Sequence, residues 1–238
     1  MNDQRNRLLG SPDTSPSAAV ARSPDRVHTT VIAVHGLWMI GGVMGILRRR
    51  LEPSGFDVAT FGYASIREGL ESNAARLAEF LKRVPGDTVH LLGHSLGCVV
   101  IRALLEWHPP DRPGRIVCLG PPFAGSVTAE RVARLPGGPH LLGLSMRDLI
   151  ARGGFATAPA GREIGIIAGC IGIGLGRLFG RFEGPNDGMV TVAETRLAGA
   201  ADHIVLPVAH TSLLWSREVA RQAEHFMRAG RFDRATSG

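Results

Sequence analysis

Val89-His90-Leu91-Leu92-Gly93-His94-Ser95-Leu96-Gly97-Cys98-Val99-Val100-Ile101 is the stretch on which the reading of this chain turns. Val89 to Leu92 is a short apolar run of the kind a strand buried on both faces needs. Leu96 onward is apolar nearly all round, as in a central helix packed under a sheet, and the pattern stops before Pro109-Pro110. Between them, Gly93-His94-Ser95-Leu96-Gly97 must turn the chain sharply. A serine on such a strand-to-helix turn has strained backbone geometry, and only small residues at the two glycine positions let the turn close. The turn lifts the hydroxyl above the sheet. It also aims the helix N-terminus and the Leu96 N–H at the place where an oxyanion would form.

Comparable apolar runs recur on either side, at Val31 to Val34, Val58 to Phe61, Ile116 to Leu119, Ile164 to Ala168 and Ile204 to Val208. Helical periodicity lies between them. Residues 67–83 place Leu70, Ala74, Leu77, Phe80 and Leu81 on one face before Pro85-Gly86, and residues 212–228 set Leu213, Leu214, Val219 and Phe226 among Arg and Glu. Two shorter helices are expected at Ser126 to Leu135 and His140 to Ala151. Strand–helix alternation along one chain predicts an α/β, doubly wound, mainly parallel sheet of about six strands flanked by helices. At 238 residues the chain is long enough for one such domain. Residues 1–25 are rich in Ser, Pro, Asp and Arg without periodicity and read as a tail. Residues 26–238 read as the domain, with a small cap-like insertion over about 121–161.

The formal charge of +6 is almost wholly due to arginine, Lys82 being the only lysine. The arginines are scattered apart from Arg48-Arg49-Arg50, without the interleaved aromatics of a nucleic-acid surface, so no nucleic-acid partner is expected. The three cysteines, Cys98, Cys118 and Cys170, sit in apolar settings and fit no metal or redox spacing. The apolar stretches Leu37 to Leu47 and Ile164 to Leu178 are short or studded with glycine, so neither is read as a membrane span. They read as core strand plus loop, with a lipid-contacting rim and peripheral membrane contact as the alternative. The polar N-terminus lacks a charged-then-apolar leader pattern, which makes a cytoplasmic location the expectation.

A serine becomes a useful nucleophile only when a base removes its proton. Among nine histidines, His28 and His90 lie at or in strands upstream of the turn, His108 at a helix end and His140 in the insertion. His94 adjoins the serine and is expected to pack under the turn. His203 and His210 flank the Ile204 to Val208 run. Functional groups in an open parallel sheet gather at the carboxyl ends of strands, which favours His210 as base over His203. The acid that orients it is expected between serine and histidine in chain order. Asp187, in the turn-rich Gly184-Pro185-Asn186-Asp187-Gly188-Met189-Val190, is favoured; Glu183, Glu194 and Asp202 remain open, and Asp148 is weaker. His35-Gly36-Leu37 follows the first strand, where the Leu37 N–H can join that of Leu96 in an oxyanion hole, each donor worth roughly 3 kcal/mol.

His35-Gly36, Gly93-His94-Ser95-Leu96-Gly97, Asp187-Gly188-Met189-Val190 and His210, in that order, resemble the bacterial lipase and esterase branch of the α/β-hydrolase superfamily over roughly residues 28–230. The Asp-Gly-Met-Val stretch is similar to the Asp-Gly-Val-Val that carries the triad acid in many bacterial lipases. The resemblance implies hydrolysis of small-molecule or lipid carboxylic esters through an acyl-enzyme, without metal or organic cofactor. Trp38, Met39, Phe123 and Met189 then become candidate substrate contacts. Larger members carry two more strands before the His-Gly strand, for which residues 1–26 look too polar, and the modest insertion leaves room for a small cap only. An acyltransferase or thioesterase using the same three residues, and a catalytically silent interaction module of this fold, are the rival readings.

Overall fold

The computed structural model describes residues 29–39, 41–174, 176, 178 and 181–235. The expected tail over 1–25 lies outside the described residues. Six strands form one all-parallel sheet: β1 (Thr29–Val34), β2 (Asp57–Phe61), β3 (Thr88–His94), β4 (Ile116–Leu119), β5 (Ile164–Gly169) and β6 (Asp202–Leu206), in the order β2-β1-β3-β4-β5-β6. Crossover helices connect them: α1 (Gly45–Leu51), α2 (Leu70–Arg83) and α3 (Leu96–Trp107) follow β1, β2 and β3. The helices α4 (Val127–Ala133) and α5 (Gly138–Arg152) lie between β4 and β5, and α6 (Arg217–Ala229) follows β6.

Alternate side chains of each central strand enter two separate cores, which is why these strands read as continuous apolar runs. Ile32, Val34, Leu91, Ile116, Cys118 and Ile166 pack under α2 and α3. Val31, Ala33, Leu92, Val117 and Ile167 pack under α1 and α6, with Phe226 fully buried. The winding reverses between β1 and β3, so the crevice at their carboxyl ends is the topological switch point where doubly wound sheets bind ligands.

The elements differ from the sequence expectations at their ends. Strand β6 runs from Asp202 to Leu206, two residues earlier than the apolar run, and it is an edge strand with Val205 exposed rather than buried on both faces. The amphipathic stretch 212–228 is not one helix. A single 3-10 turn spans Thr211–Leu214, and α6 starts afresh where the Ser216 hydroxyl accepts the Val219 N–H at 3.3 Å. Helix α2 starts at Leu70 because the Asp148 carboxylate accepts the Leu70 N–H at 2.7 Å. Helix α5 is kinked at Gly143, whose φ of 70° brings its backbone against Ile66. Among the described residues no helix is long and apolar enough to cross a membrane.

Candidate active site

Three loops meet at the carboxyl edge of the sheet. Ser95 stands between β3 and α3 with φ 52° and ψ −121°, a conformation that costs a non-glycine residue of order 1–3 kcal/mol. The turn is held by the Ser95 N–H donating to the Leu119 carbonyl at 2.9 Å. Its glycines are required by close approach. A Cβ on Gly93 would lie 2.8 Å from the Cys98 backbone, and one on Gly97 would lie 2.3 Å from the Val34 carbonyl oxygen and 2.6 Å from that of His35. Gly97 therefore lets the start of α3 settle against the end of β1. Replacing it with alanine is expected to destabilise the protein by about 3 kcal/mol, read as a fall in Tm of about 5 °C or more. An unchanged Tm would contradict this packing.

The loop after β1 comes to the same place. Gly36 lies against Ser95, since a Cβ there would be 3.2 Å from the Ser95 Cβ. The Tyr63 hydroxyl donates to the His35 carbonyl at 2.9 Å, the Tyr63 and His35 rings stack at 4.5 Å, and the His35 Nδ1–H donates to the Gly36 carbonyl at 2.8 Å. Burial lowers the His35 pKa and raises that of Tyr63, so both stay neutral inside this brace. Trp38, with φ 57°, is the only non-glycine besides Ser95 among the described residues at positive φ. Its indole N–H donates to the Leu141 carbonyl at 2.7 Å, tying this loop to the start of α5.

The third loop carries Asp187, the acid expected from the sequence. Asp187 is fully buried; its Oδ1 accepts the Met189 and Val190 N–H groups at 3.0 and 2.8 Å, and its Oδ2 lies 2.7 Å from His210 Nδ1. Both oxygens act as acceptors, so His210 Nδ1 carries a proton and Nε2 is left as the basic nitrogen. The His210 N–H also donates to the Asp187 carbonyl at 2.8 Å, so main chain and side chain bind the pair twice. Gly120 makes room for this pair: a Cβ there would lie 3.1 Å from both Asp187 Oδ2 and His210 Nδ1. No sequence signal marks Gly120, because its neighbours come from distant segments. Since Ser95 is bonded to Leu119, the residue before Gly120, the elbow and the Asp187–His210 pair converge at the end of β4.

The other acids are engaged elsewhere. Glu194 accepts the Val127 and Thr191 N–H groups, both at 2.6 Å, and so caps α4. Asp202 binds Arg234 and the Phe232 N–H at the opposite edge of the sheet. Asp148 caps α2, and Glu183 is exposed. His203 sits near the start of β6 with its Nε2 at 2.9 Å from the Thr195 hydroxyl.

Of the candidate substrate contacts, Trp38 is half-exposed on the rim and Met189 is partly exposed beside Asp187. Leu37 and Met39 are partly buried, the first packing on the α2–α3 core and the second on the α1–α6 core. Phe123 lies deeper than the other candidates: its side chain is fully buried in the α2–α3 core, and its carbonyl accepts the Phe155 N–H at 2.6 Å. An apolar residue after a strand can serve rim or core, and Phe123 shares its core with Phe155. Among the described residues no cluster of three or more His, Cys, Asp or Glu side chains is placed to hold a metal ion.

Two further histidines are buried. Burial lowers His90 to a pKa of about 4 and His94 to about 3. Above pH ~6.5 both are neutral folded or unfolded and stability is indifferent to them. As pH falls, the unfolded chain takes up protons that the folded state refuses, so stability is lost progressively from about pH 6.5 toward 3–4. Tm is expected to fall across that window by an amount equivalent to several kcal/mol. His90→Asn, which keeps an acceptor for the Arg115 N–H now bound at 2.8 Å, should flatten the slope. Thermal unfolding from pH 7.5 to 4.5 measures both.

The parallel sheet in this strand order, with a strained serine after β3 and a buried acid–histidine pair beyond β5 and β6, defines the α/β-hydrolase fold, and the chain has that fold. Solved structures with it include the mature Bacillus licheniformis lipase BlEst2, at TM-score 0.68 and 20% identity over 87% of this chain and 93% of that one. A metagenomic carboxyl esterase matches at TM-score 0.64 and 20% identity, over 94% and 80% of the two chains. The Bacillus subtilis carboxylesterase CesB matches at TM-score 0.54 and 13% identity, over 85% and 84%. No protein-family model and no curated protein sequence matches the chain.

Proposed function

We propose that this protein is a serine hydrolase of carboxylic esters acting through an acyl-enzyme. The observation that carries the reading is the buried 2.7 Å bond from Asp187 to His210 at the same sheet edge as the strained Ser95. His210 Nε2 takes the Ser95 proton as the hydroxyl oxygen attacks the ester carbonyl. Asp187 steadies the imidazolium that forms. The Leu37 and Leu96 N–H groups hold the tetrahedral oxyanion, an assignment supported by the packing of Gly36 on Ser95 and of Gly97 on the end of β1. His210 then protonates the departing alcohol, and a water activated in the same way releases the acid.

The esterases and lipases among the structural neighbours support an ester substrate. Trp38 and Met189 are its apolar contacts, and α5, fastened to Trp38, is a small cap at the mouth. The test is hydrolysis of p-nitrophenyl esters from acetate to palmitate. Activity with an optimum in acyl length supports the reading and sets the enzyme among esterases or lipases. A folded protein inactive at every length and unreactive toward a fluorophosphonate would overturn it.

A further inference from the structure

His94, the variable residue inside the Gly-x-Ser-x-Gly turn, is fully buried directly behind the proposed base. Its Nε2 lies 3.1 Å from the His210 carbonyl oxygen, and the two rings are 4.8 Å apart, tilted by 47°. A carbonyl oxygen only accepts, so Nε2 must carry the proton and Nδ1 is a bare lone pair. Nδ1 has no hydrogen-bond partner and faces Gly36, where a Cβ would lie 3.1 Å from it. His94 therefore touches, from one buried position, the residue before Ser95, the main chain of His210 and the oxyanion-side loop. Its neighbour in the sheet, Leu119, is the residue to which Ser95 is bonded.

We propose that His94 is a positioning residue for the reaction: a neutral imidazole in the Nε2–H tautomer that fixes the His210 backbone relative to the Ser95 turn. This rests on the hydrolase reading above. A hydrogen bond to the His210 carbonyl acts on the main chain only and leaves both ring nitrogens of His210 to Asp187 and Ser95. Without it, the hydrogen bonds that reach His210 from outside its own loop come from Asp187 alone, in the segment beyond β6 and one residue before a single 3-10 turn. Small displacements of a base lower the reaction rate far more than they alter ground-state binding. Neutrality is part of the device. A second cation 4.8 Å from His210 would oppose the imidazolium formed during attack, and the orphaned Nδ1 has no acceptor to welcome a proton.

Three replacements separate positioning from packing. Phenylalanine keeps the ring and loses the donor. Glutamine places an amide N–H where Nε2 stood, whereas asparagine reaches only the Nδ1 position. His94→Phe and His94→Asn are expected to lower kcat roughly 10- to 100-fold with KM within about twofold, and His94→Gln to recover most of the loss. If Phe fails to fold, the Gln–Asn pair decides alone. Wild-type kcat in a folded Phe or Asn variant, or a Gln variant as slow as Asn, overturns the proposal. Activity that survives Ser95→Ala would instead overturn Ser95 as the nucleophile on which the reading above rests, so the two failures are distinguishable.

Discussion

Ser95→Ala is expected to reduce ester hydrolysis by about 10,000-fold or more while leaving the protein folded. Removing the nucleophile leaves the base and the oxyanion donors without a partner, and losses within one catalytic unit are far from additive. The fold does not depend on the hydroxyl: the turn is fastened through the Ser95 N–H to Leu119, and the side chain caps nothing in α3. Residual activity is to be measured on purified protein with a short p-nitrophenyl ester, beside a Tm. A companion variant sharpens the result. At φ 52° and ψ −121° the site favours glycine, so Ser95→Gly should be equally inactive yet more stable, by about 1 kcal/mol. A rise in Tm together with lost activity would mark the elbow as a place where backbone strain serves chemistry. Undiminished activity in Ser95→Ala would move the nucleophile elsewhere.

Asp187→Asn is expected to be nearly as damaging, about 10,000-fold in kcat, although it changes a single oxygen to an amide. Asn can keep the two bonds that Oδ1 accepts from Met189 and Val190, so the loop survives. The NH2 group then faces His210 Nδ1 and donates to it. That drives the imidazole proton to Nε2, the nitrogen meant to accept from Ser95. The base is thereby present, well placed and in the wrong tautomer. Asp187→Ala should add a loss of stability by freeing the Met189 and Val190 N–H groups, about 1–3 kcal/mol if they stay buried and unpaired. Glu194→Gln is the contrast. It should shift Tm through its capping of α4 and leave kcat within a few fold, since Glu194 is bonded to Val127 and Thr191. Equal kcat losses at both positions would remove the special role of Asp187.

The elbow was legible because every feature it needs is local: a strand, two glycines and an apolar helix are contiguous in the chain. The sheet was legible for a related reason. Burial on both faces writes continuous apolar runs, and the central strands carry them. The edge strand β6 lacks that double burial, and its bounds came out two residues late. The periodicity over 212–228 concealed the break at Ser216, where a side-chain cap restarts the helix. Which carboxylate lies beside His210 was not legible in the sequence, since the capping duties of Glu194 and Asp148 join residues far apart in the chain. The depth of Phe123 was not legible, because apolar character alone does not say which side of a loop faces the solvent. Gly120 and the second contact of His94 were invisible, each depending on neighbours brought from beyond residue 186.

The Trp38–Leu141 bond makes the His35–Trp38 loop and the start of α5 one mechanical unit. If Leu37 supplies an oxyanion donor, the rim that gauges the acyl group and the amide that stabilises its transition state move together. A substrate bulky enough to push α5 outward drags the Leu37 amide from its station. Discrimination by size would then be written into turnover rather than affinity: oversized esters bind and stall, and behave toward the enzyme as inhibitors of the substrates it processes.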